Sequence, residues 1–158
     1  MIALRYYLID KIEEYCPGKH ITGVKCITLA DDVFNDHFPG HPIFPGSLLT
    51  ESLAQLGGVL FNIMLREESS KSLLSILSVI NSMKFRKPVF PGDRLQIKAS
   101  IISKEERYGF VKVEANNGDT TTTTGELSFV FAEVEDPETF SFWDRYQKVL
   151  LKDARIIE

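Results

Sequence analysis

Prolines at positions 39, 42 and 45 lie within seven residues of one another, immediately before a long apolar segment. Proline fixes φ, removes a backbone donor and biases the residue before it toward extended geometry, so this stretch cannot be helical. Gly40 and Gly46 allow positive φ or close backbone approach between the prolines. A loop constrained in this way holds its side chains in place, and we expect a rigid loop over residues 36–46.

The segment after the loop predicts a long helix that is apolar on more than one face. From Ser47 to Arg66 the apolar residues recur at helical spacing, which is typical of a helix that the rest of the protein encloses. Glu51 is the one carboxylate of this segment and lies in its second turn. The larger polar interruptions are Thr50, Glu51, Gln55 and Asn62.

Most of the remaining sequence predicts β-strands. Residues 5–14 and 20–30 are strand-like, and residues 73–89 are apolar and β-branched. Later segments alternate apolar and polar residues, and Asn117-Gly118 is typical of a hairpin turn. We therefore expect an α+β fold in which a curved antiparallel sheet wraps around the long helix.

The last part of the chain predicts a second helix. Asp136 is suited to cap it, and Pro137 suits its first helical position. An apolar stripe at Phe140, Trp143 and Tyr146 predicts packing against the sheet or a dimer partner. We expect one domain over residues 1–135, with residues 136–158 as a C-terminal helical extension of the same domain.

The composition is that of one soluble domain, with 158 residues of which 44% are hydrophobic. A net charge of −4 argues against general binding to nucleic acid or to an anionic membrane. The first ten residues do not resemble a signal peptide, and we expect no apolar stretch of the ~20 residues that a membrane helix needs. Cys16 and Cys26 form neither a metal pattern nor a disulfide framework. We expect a cytoplasmic protein.

His37 in the loop and Glu51 in the apolar helix are the candidate catalytic residues. A lone loop histidine is more often structural, and a helical glutamate is more often solvated. The rigid loop and the leucines around Glu51 favour a neutral imidazole as base and a desolvated, protonated carboxyl group as acid. Free N–H groups at the helix start, from Gly46 to Leu48, could hold a carbonyl that gains negative charge. These parts fit proton removal next to a carbonyl, although the sequence does not place His37 and Glu51 within reach.

The spacing of His37 and His41 raises the alternative of a metal site. The intervening prolines prevent the helix that would put both imidazoles on one face, and no third ligand has a convincing spacing. We therefore predict no metal. A serine or cysteine nucleophile is also poorly supported, because no Gly-x-Ser-x-Gly motif is present and both cysteines lie in strand-like sequence.

Two motifs together indicate one family. The first is His37-Phe38-Pro39, Pro42, Pro45-Gly46 and Glu51-x-x-Ala54-Gln55, and the second is Phe85-Arg86-Lys87-Pro88-Val89-x-Pro91-Gly92-Asp93-x-Leu95. From about residue 5 to residue 131 the chain resembles the FabZ-type 3-hydroxyacyl-acyl-carrier-protein dehydratases, which are hot-dog proteins of type II fatty-acid synthesis. Asp36 departs from the family pattern, which usually has glycine there, and a carboxylate at this position would favour the protonated form of His37. The terminal helix is a second departure.

The resemblance implies a hot-dog fold and a homodimer, with a trimer of dimers left open. It implies an active site at the dimer interface, with His37 from one subunit and Glu51 from the other. Water would be eliminated from a 3-hydroxyacyl thioester on acyl carrier protein to give the trans-2-enoyl thioester. His37 would take the C2 proton, the N–H of Gly46 would hold the thioester carbonyl, and Glu51 would help the hydroxyl leave. Phe38 and Gln55 would bind substrate, and no cofactor is implied, because the substrate arrives on the phosphopantetheine of the carrier protein.

Acyl carrier proteins are acidic, so docking on a net-negative chain requires a local basic patch. Lys84, Arg86, Lys87 and Arg94 flank the second motif and are candidates for it. An ordinary charged sheet edge is an equal alternative for these four residues. Two other functions stay open from the sequence, a hot-dog acyl thioesterase and a non-catalytic accessory protein that binds acyl carrier protein.

Overall fold

The computed structural model describes residues 6–158, which form seven β-strands, two α-helices and one short 3-10 helix. In chain order these elements are β1 (Lys11–Cys16), β2 (His20–Cys26), the 3-10 helix (Asp32–Asn35), α1 (Gly46–Glu68), β3 (Leu73–Phe85), β4 (Arg94–Lys104), β5 (Tyr108–Asn117), β6 (Thr120–Glu133), α2 (Pro137–Leu151) and β7 (Arg155–Ile156).

All seven strands lie in one sheet, in the order β3-β6-β5-β4-β2-β1-β7. Neighbouring strands are antiparallel, except for the parallel pair of β1 and β7. Alternate residues of the central strands are fully buried and share one hydrophobic core with α1, among them Leu95, Ile97, Val111 and Val113. This arrangement confirms the predicted α+β hot-dog fold, in which a sheet surrounds one long helix.

α1 lies close against the sheet because small residues occupy the contact. A Cβ atom on Gly57 would lie 3.1 Å from Val111 and 3.2 Å from Phe129, so a larger residue there would push the helix away from the strands. Leucines before and after Gly57 are fully buried, including Leu53, Leu56 and Leu60. Burying side chains of this size stabilises the fold by roughly 1.5–3 kcal/mol each relative to leaving them exposed.

Among residues 6–158, α1 is the one helix that is long and apolar enough to cross a membrane, with a mean hydropathy of 1.4. The expectation that no apolar segment is long enough for a membrane helix is therefore wrong by length and composition. Of the apolar window, 67% is buried inside the fold, as expected for the core helix of a protein whose sheet encloses it. The predicted cytoplasmic location stays a prediction.

Two strand boundaries differ from the sequence predictions. β1 begins at Lys11 and not near residue 5, and residues 1–5 lie outside the described part of the chain. β3 ends at Phe85 and not at residue 89. The N–H groups of Arg86 and Lys87 both donate to the carbonyl of Thr122, at 2.7 and 3.2 Å, so the regular pairing with β6 already breaks there, and Pro88 has no N–H to resume it.

β7 is an element that the sequence analysis missed. It consists of two residues that pair with Glu14 and Tyr15 of β1, too few for a periodic pattern. The N–H of Ile157 donates to the carbonyl of Tyr15 at 3.0 Å, and Arg155 forms an ion pair with Glu14 at 3.1 Å. The C-terminal end of the chain is therefore fixed beside β1.

α2 begins as the sequence predicts. The carboxylate of Asp136 accepts hydrogen bonds from the N–H groups of Glu138 and Thr139, and Pro137 is the first helical residue. A further hydrogen bond from the Thr139 hydroxyl group, together with these backbone bonds, holds the pKa of Asp136 below its usual range. The predicted capping role of Asp136 is confirmed.

α2 is held against the rest of the fold at two places. Asp144 forms ion pairs with Lys148 at 2.8 Å and with Arg66 of α1 at 2.5 Å. The hydrogen bond from Lys148, followed by the charge of Arg66, lowers the pKa of Asp144. Farther along α2, the ring of Tyr146 packs on Tyr7 with 4.8 Å between ring centroids. Burial raises the pKa of Tyr146 to about 12.

Candidate active site

The proline-rich loop is closed by hydrogen bonds between its own backbone groups. The N–H of His37 donates to Val33 at 3.0 Å, and the N–H of Ile43 donates to the carbonyl of His37 at 3.0 Å. Phe38 and His41 exchange two further backbone bonds at 2.9 and 3.1 Å, across a turn in which Gly40 has a φ of +75°. These contacts fix the backbone on both sides of His37, as the sequence predicts for this loop.

The imidazole of His37 has a defined tautomer in its neutral form. Its Nδ1 lies 2.7 Å from the carbonyl oxygen of Ile43. Because a carbonyl oxygen only accepts hydrogen bonds, Nδ1 carries the proton and donates, and Nε2 keeps its lone pair. The ring of Phe38 stacks on the imidazole with 4.1 Å between centroids, and the His37–Phe38 peptide bond is cis. Asp36 is exposed to solvent. His37 is therefore a half-buried base whose free nitrogen is Nε2.

A cavity of about 340 Å³, here called the His37 cavity, lies between the loop, the start of α1 and the end of β3. Gly46 is the first residue of α1, and a Cβ atom there would lie 3.0 Å from the ring of Phe85. Pro45 before it provides no side-chain cap for the helix start. The cavity is lined by His37, Ile43, Phe44, Gly46, Leu49, Phe85, Arg86, Lys87, Pro88 and Val89. The structure thus brings His37 and the positive end of α1 to one cavity.

Glu51 is half-buried in the second turn of α1 and faces a different cavity. Its Oε1 accepts a hydrogen bond from the side-chain amide of Gln55 at 3.0 Å. The same amide donates to the carbonyl of Tyr6 at 3.0 Å and accepts from the N–H of Leu8 at 3.1 Å. The amide of Gln55 therefore fixes the position of the Glu51 carboxyl group.

The cavity beside Glu51, here called the Glu51 cavity, has a volume of about 370 Å³. One stripe of α1 forms its floor, β3 and Phe129 of β6 form a side, and α2 forms another side. Its lining residues on the two helices are Glu51, Ala54, Gln55, Gly58, Val59, Asn62, Thr139, Trp143 and Gln147. His37 is not among the lining residues, so within one chain His37 and Glu51 face different cavities.

β3 borders both cavities and lies at the end of the sheet. Phe85 lines the His37 cavity, and residues from Leu74 to Leu77 line the Glu51 cavity. Among residues 6–158 no strand pairs with the outer edge of β3. About half of the surface of Ile76, Val79, Ile80 and Phe85 is exposed on this strand. A free edge that carries several exposed apolar side chains is suited to pairing with another chain.

The four predicted docking cations do not all lie in one place. Arg86 and Lys87 are exposed and line the His37 cavity, and Lys84 is exposed near the end of β3. Arg94 at the start of β4 donates to the carboxylate of Glu13 at 2.8 Å. Arg86 and Lys87 are therefore the cations that adjoin the candidate base.

α2 contributes cavity residues that the sequence analysis missed. Thr139, Trp143 and Gln147 follow one another at four-residue spacing and so share one face of the helix. Trp143 was part of the apolar stripe that predicted packing, but no sequence pattern indicates that this side of α2 borders a cavity. Within residues 6–158 no three His, Cys, Asp or Glu side chains come together as metal ligands.

Comparison with known proteins identifies one family. The family model of the FabA-like domain matches residues 4–126. A FabZ 3-hydroxyacyl-[acyl-carrier-protein] dehydratase of Geobacter metallireducens is 37% identical over 128 residues, which cover 81% of this chain and 85% of that protein. The FabZ dehydratase of Lactobacillus helveticus is 37% identical over 140 residues, which cover 87% of this chain and 90% of that protein.

Solved structures of lower sequence identity share the fold. The dehydratase heterocomplex ApeI:P from Xenorhabdus doucetiae has a TM-score of 0.66 at 18% identity, covering 88% of this chain and 90% of that chain. The fluoroacetyl-CoA thioesterase FlK has a TM-score of 0.59 at 15% identity, covering 82% of this chain and 94% of that chain. Both are similar to this chain in architecture. The family model and the relatives at 37% identity show the family as well as the fold. The chain belongs to the FabA-like family, among the FabZ 3-hydroxyacyl-[acyl-carrier-protein] dehydratases.

Proposed function

We propose that this protein removes water from 3-hydroxyacyl groups on acyl carrier protein and gives the trans-2-enoyl thioester, in fatty-acid or related acyl-chain biosynthesis. The names of its relatives support the reaction. The observation that carries the proposal is the hydrogen bond from Nδ1 of His37 to Ile43, because it leaves Nε2 as a base beside the N-terminus of α1. The proposed reaction needs no cofactor.

In the proposed mechanism Nε2 of His37 takes the proton from C2 of the acyl group. The N–H of Gly46 donates to the thioester carbonyl as negative charge develops there, a contribution worth roughly 10²–10³ in rate for one well-placed donor. Glu51 gives a proton to the hydroxyl group at C3, which leaves as water. The C2–H and C3–O bonds break, and the C2–C3 double bond forms. A positioned base and acid each contribute roughly 10²–10⁴ to such a step.

We infer that the complete site is formed by two copies of the chain. His37 and Glu51 face different cavities within one chain, and both cavities border β3. Pairing of two β3 edges would cover Ile76, Val79 and Ile80, and it would bring the His37 cavity of one copy to the Glu51 cavity of the other. A two-fold axis would then produce two equal sites per homodimer. Larger assemblies of such dimers stay a prediction.

We propose further that acyl carrier protein docks at the mouth of the His37 cavity. Arg86 and Lys87 line this cavity and are exposed, as a contact with an acidic partner requires. Lys84 and Arg94 stay predicted contributors, with Arg94 already paired to Glu13. Phe38, exposed and stacked on His37, and Gln55, bonded to Glu51, stay predicted substrate contacts.

One assay tests the proposal against a thioesterase and against a non-catalytic accessory protein. The protein is mixed with 3-hydroxydecanoyl-acyl-carrier-protein, and the absorbance of the conjugated enoyl thioester and the release of free thiol are followed together. We expect enoyl product without thiol. Thiol release would indicate a thioesterase, and the absence of both signals would indicate an accessory protein.

The same assay tests the role of His37 with a matched control. His37→Ala should reduce the rate by roughly 10²–10⁴, because it removes the base. His41→Ala changes an exposed histidine of the same loop, whose ring is 6.3 Å from that of Phe90, and should keep most of the activity. Full activity in a folded His37→Ala protein would contradict the mechanism.

A further inference from the structure

Gln147 is a buried amide side chain with no hydrogen-bonding partner in the part of the chain that the structure describes. It lines the Glu51 cavity and is 1% exposed. Among residues 6–158 neither its Nε2 nor its Oε1 has a hydrogen-bond partner. Buried polar side chains in folded proteins are nearly always hydrogen-bonded, so an amide with both ends unpaired requires an explanation.

The other two amide side chains that line this cavity each have hydrogen-bond partners on the protein. The Oδ1 of Asn62 accepts from the N–H of Ser75 at 2.7 Å. The Gln55 amide bonds to Glu51 and to the backbone of the N-terminal segment. The rest of the lining is mainly apolar and includes Val59 and Trp143. Gln147 is therefore a buried, unpaired donor and acceptor in the wall of a mainly apolar cavity.

The position of Gln147 is determined by the contacts that hold α2. Asp144 pairs with Arg66 near the end of α1, whereas Tyr146 packs on Tyr7. Tyr7 lies between Tyr6 and Leu8, whose backbone groups bond to Gln55. The end of α2 that carries Gln147 therefore lies toward the Gln55 side of the cavity. The stripe of α1 from Glu51 to Asn62 gives the cavity a length of about 16 Å at 1.5 Å per residue.

We propose that Gln147 is a specificity-determining residue that selects acyl chains carrying an oxygen function, oxo or hydroxyl, beyond C3. The inference rests on the proposed dehydratase reaction, in which the chain beyond C3 extends from Glu51 along this cavity. A hydrocarbon chain would leave the amide of Gln147 unpaired. An oxo group accepts from Nε2, and a hydroxyl group bonds to either end of the amide. Sites built to bond a polar group discriminate against analogues that lack it.

Trp143 provides a direct measure of binding, because it is the only tryptophan of the chain and lines the same cavity. The probes are decanoyl-pantetheine and its 5-oxo, 7-oxo and 9-oxo derivatives, titrated against the full-length protein while the fluorescence of Trp143 is recorded. We expect at least one oxo derivative to bind about tenfold more tightly than the plain chain, the ratio that one to two neutral hydrogen bonds supply.

Gln147→Met keeps the length of the side chain and removes its amide. This variant should lose the preference for the oxo chain, and Gln96→Met, the same change at an exposed position of β4, should retain it. Without ligand, Gln147→Met should also melt at a higher temperature than the wild type, because it removes an unpaired buried amide.

The wild-type titration alone can overturn the inference, even where the variant fails to fold. Equal or tighter binding of the plain chain, compared with every oxo derivative, would refute it, and so would an unchanged preference in folded Gln147→Met. Because these measurements need no turnover, they decide the role of Gln147 separately from the dehydration assay. A protein that binds oxo chains selectively but forms no enoyl thioester would refute the proposed function instead.

Discussion

The side-chain amide of Gln55 donates to Oε1 of Glu51 at 3.0 Å from one turn farther along α1. The amide is itself held by the backbone of Tyr6 and Leu8, so it has little freedom to turn away. The contact therefore holds Oε1 of the Glu51 carboxyl group in place. In the proposed mechanism Oε2 is then the oxygen that faces the substrate hydroxyl group.

Gln55→Leu should lower kcat by about tenfold, because it removes the hydrogen bond that holds the proposed acid, and loss of the predicted substrate contact would add a rise in KM. Steady-state kinetics with 3-hydroxyacyl-acyl-carrier-protein measure both constants. Gln96→Leu is the matched control, because Gln96 is exposed on β4 and outside both cavities. A rise in KM at unchanged kcat would show that Gln55 acts as a uniform substrate contact and does not position Glu51.

A mixture of two inactive variants tests whether the site is shared between two copies. His37→Ala and Glu51→Gln each remove one group from both sites of a homodimer. In a mixed dimer one site lacks both groups and the other is intact, so random exchange of subunits should restore about a quarter of the wild-type rate. Each variant taken alone through the same exchange is the control. A mixture no more active than its components would place His37 and Glu51 of one site in a single chain.

The β3 edge is tested by placing a charge on it. Ile80→Lys should weaken the dimer by about 100-fold or more and lower activity in parallel, because a lysine would be buried without a partner between the two edges. Sedimentation over a range of concentrations measures the association. Ile102→Lys on β4 is the control, since Ile80 and Ile102 are 52% and 53% exposed. Loss of the dimer in both variants, or in neither, would contradict pairing through β3.

The ion pairs of Asp144 predict how the stability contributed by α2 depends on pH. The pKa of Asp144 in the folded protein lies below the usual value of 3.8. Its carboxylate therefore contributes stability above pH 3.8, and this contribution is lost as the pH falls through the lower folded-state pKa. Because Asp144 is partly exposed, the contribution is at most about 1 kcal/mol, which corresponds to a few degrees in Tm.

Asp144→Asn should consequently melt a few degrees below the wild type at neutral pH, and the two melting curves should converge in acid. Thermal unfolding followed by circular dichroism between pH 2 and pH 7 measures the difference. Glu135→Gln changes an exposed carboxylate next to α2 and should show no such convergence. A constant difference at every pH would mean that packing, and not the charge of Asp144, accounts for the effect.

The rigid loop around His37 was predictable because proline acts locally on φ and on the residue before it. The contact between Nδ1 of His37 and the carbonyl of Ile43 was not, because it depends on how the loop closes. Glu51 lies among leucines in the sequence, and Leu49 and Leu53 are indeed buried, but Glu51 itself faces a cavity. Helical periodicity defines the faces of α1 without showing which face the sheet and α2 leave uncovered.

α2 shows a second limit of reasoning from sequence. Its start was predictable, because the carboxylate of Asp136 and the ring of Pro137 act within one turn. The environment of Gln147 was not, because a single glutamine in an amphipathic helix resembles any surface residue until the tertiary contacts of Asp144 and Tyr146 are known. A residue such as Gln147, whose burial depends on tertiary contacts, has no periodicity or motif in the sequence that marks it.

α2 has a consequence for how such proteins diverge. The family model ends at residue 126, whereas α2 occupies Pro137–Leu151. The proposed base and acid therefore lie within the region that the family model matches, while α2, which forms one side of the Glu51 cavity, follows it in the chain. Because the proposed specificity residue Gln147 lies on α2, we expect changes in α2 to alter substrate preference while leaving the reaction intact. Two dehydratases with the same motifs would then serve different pathways through differences in this helix alone.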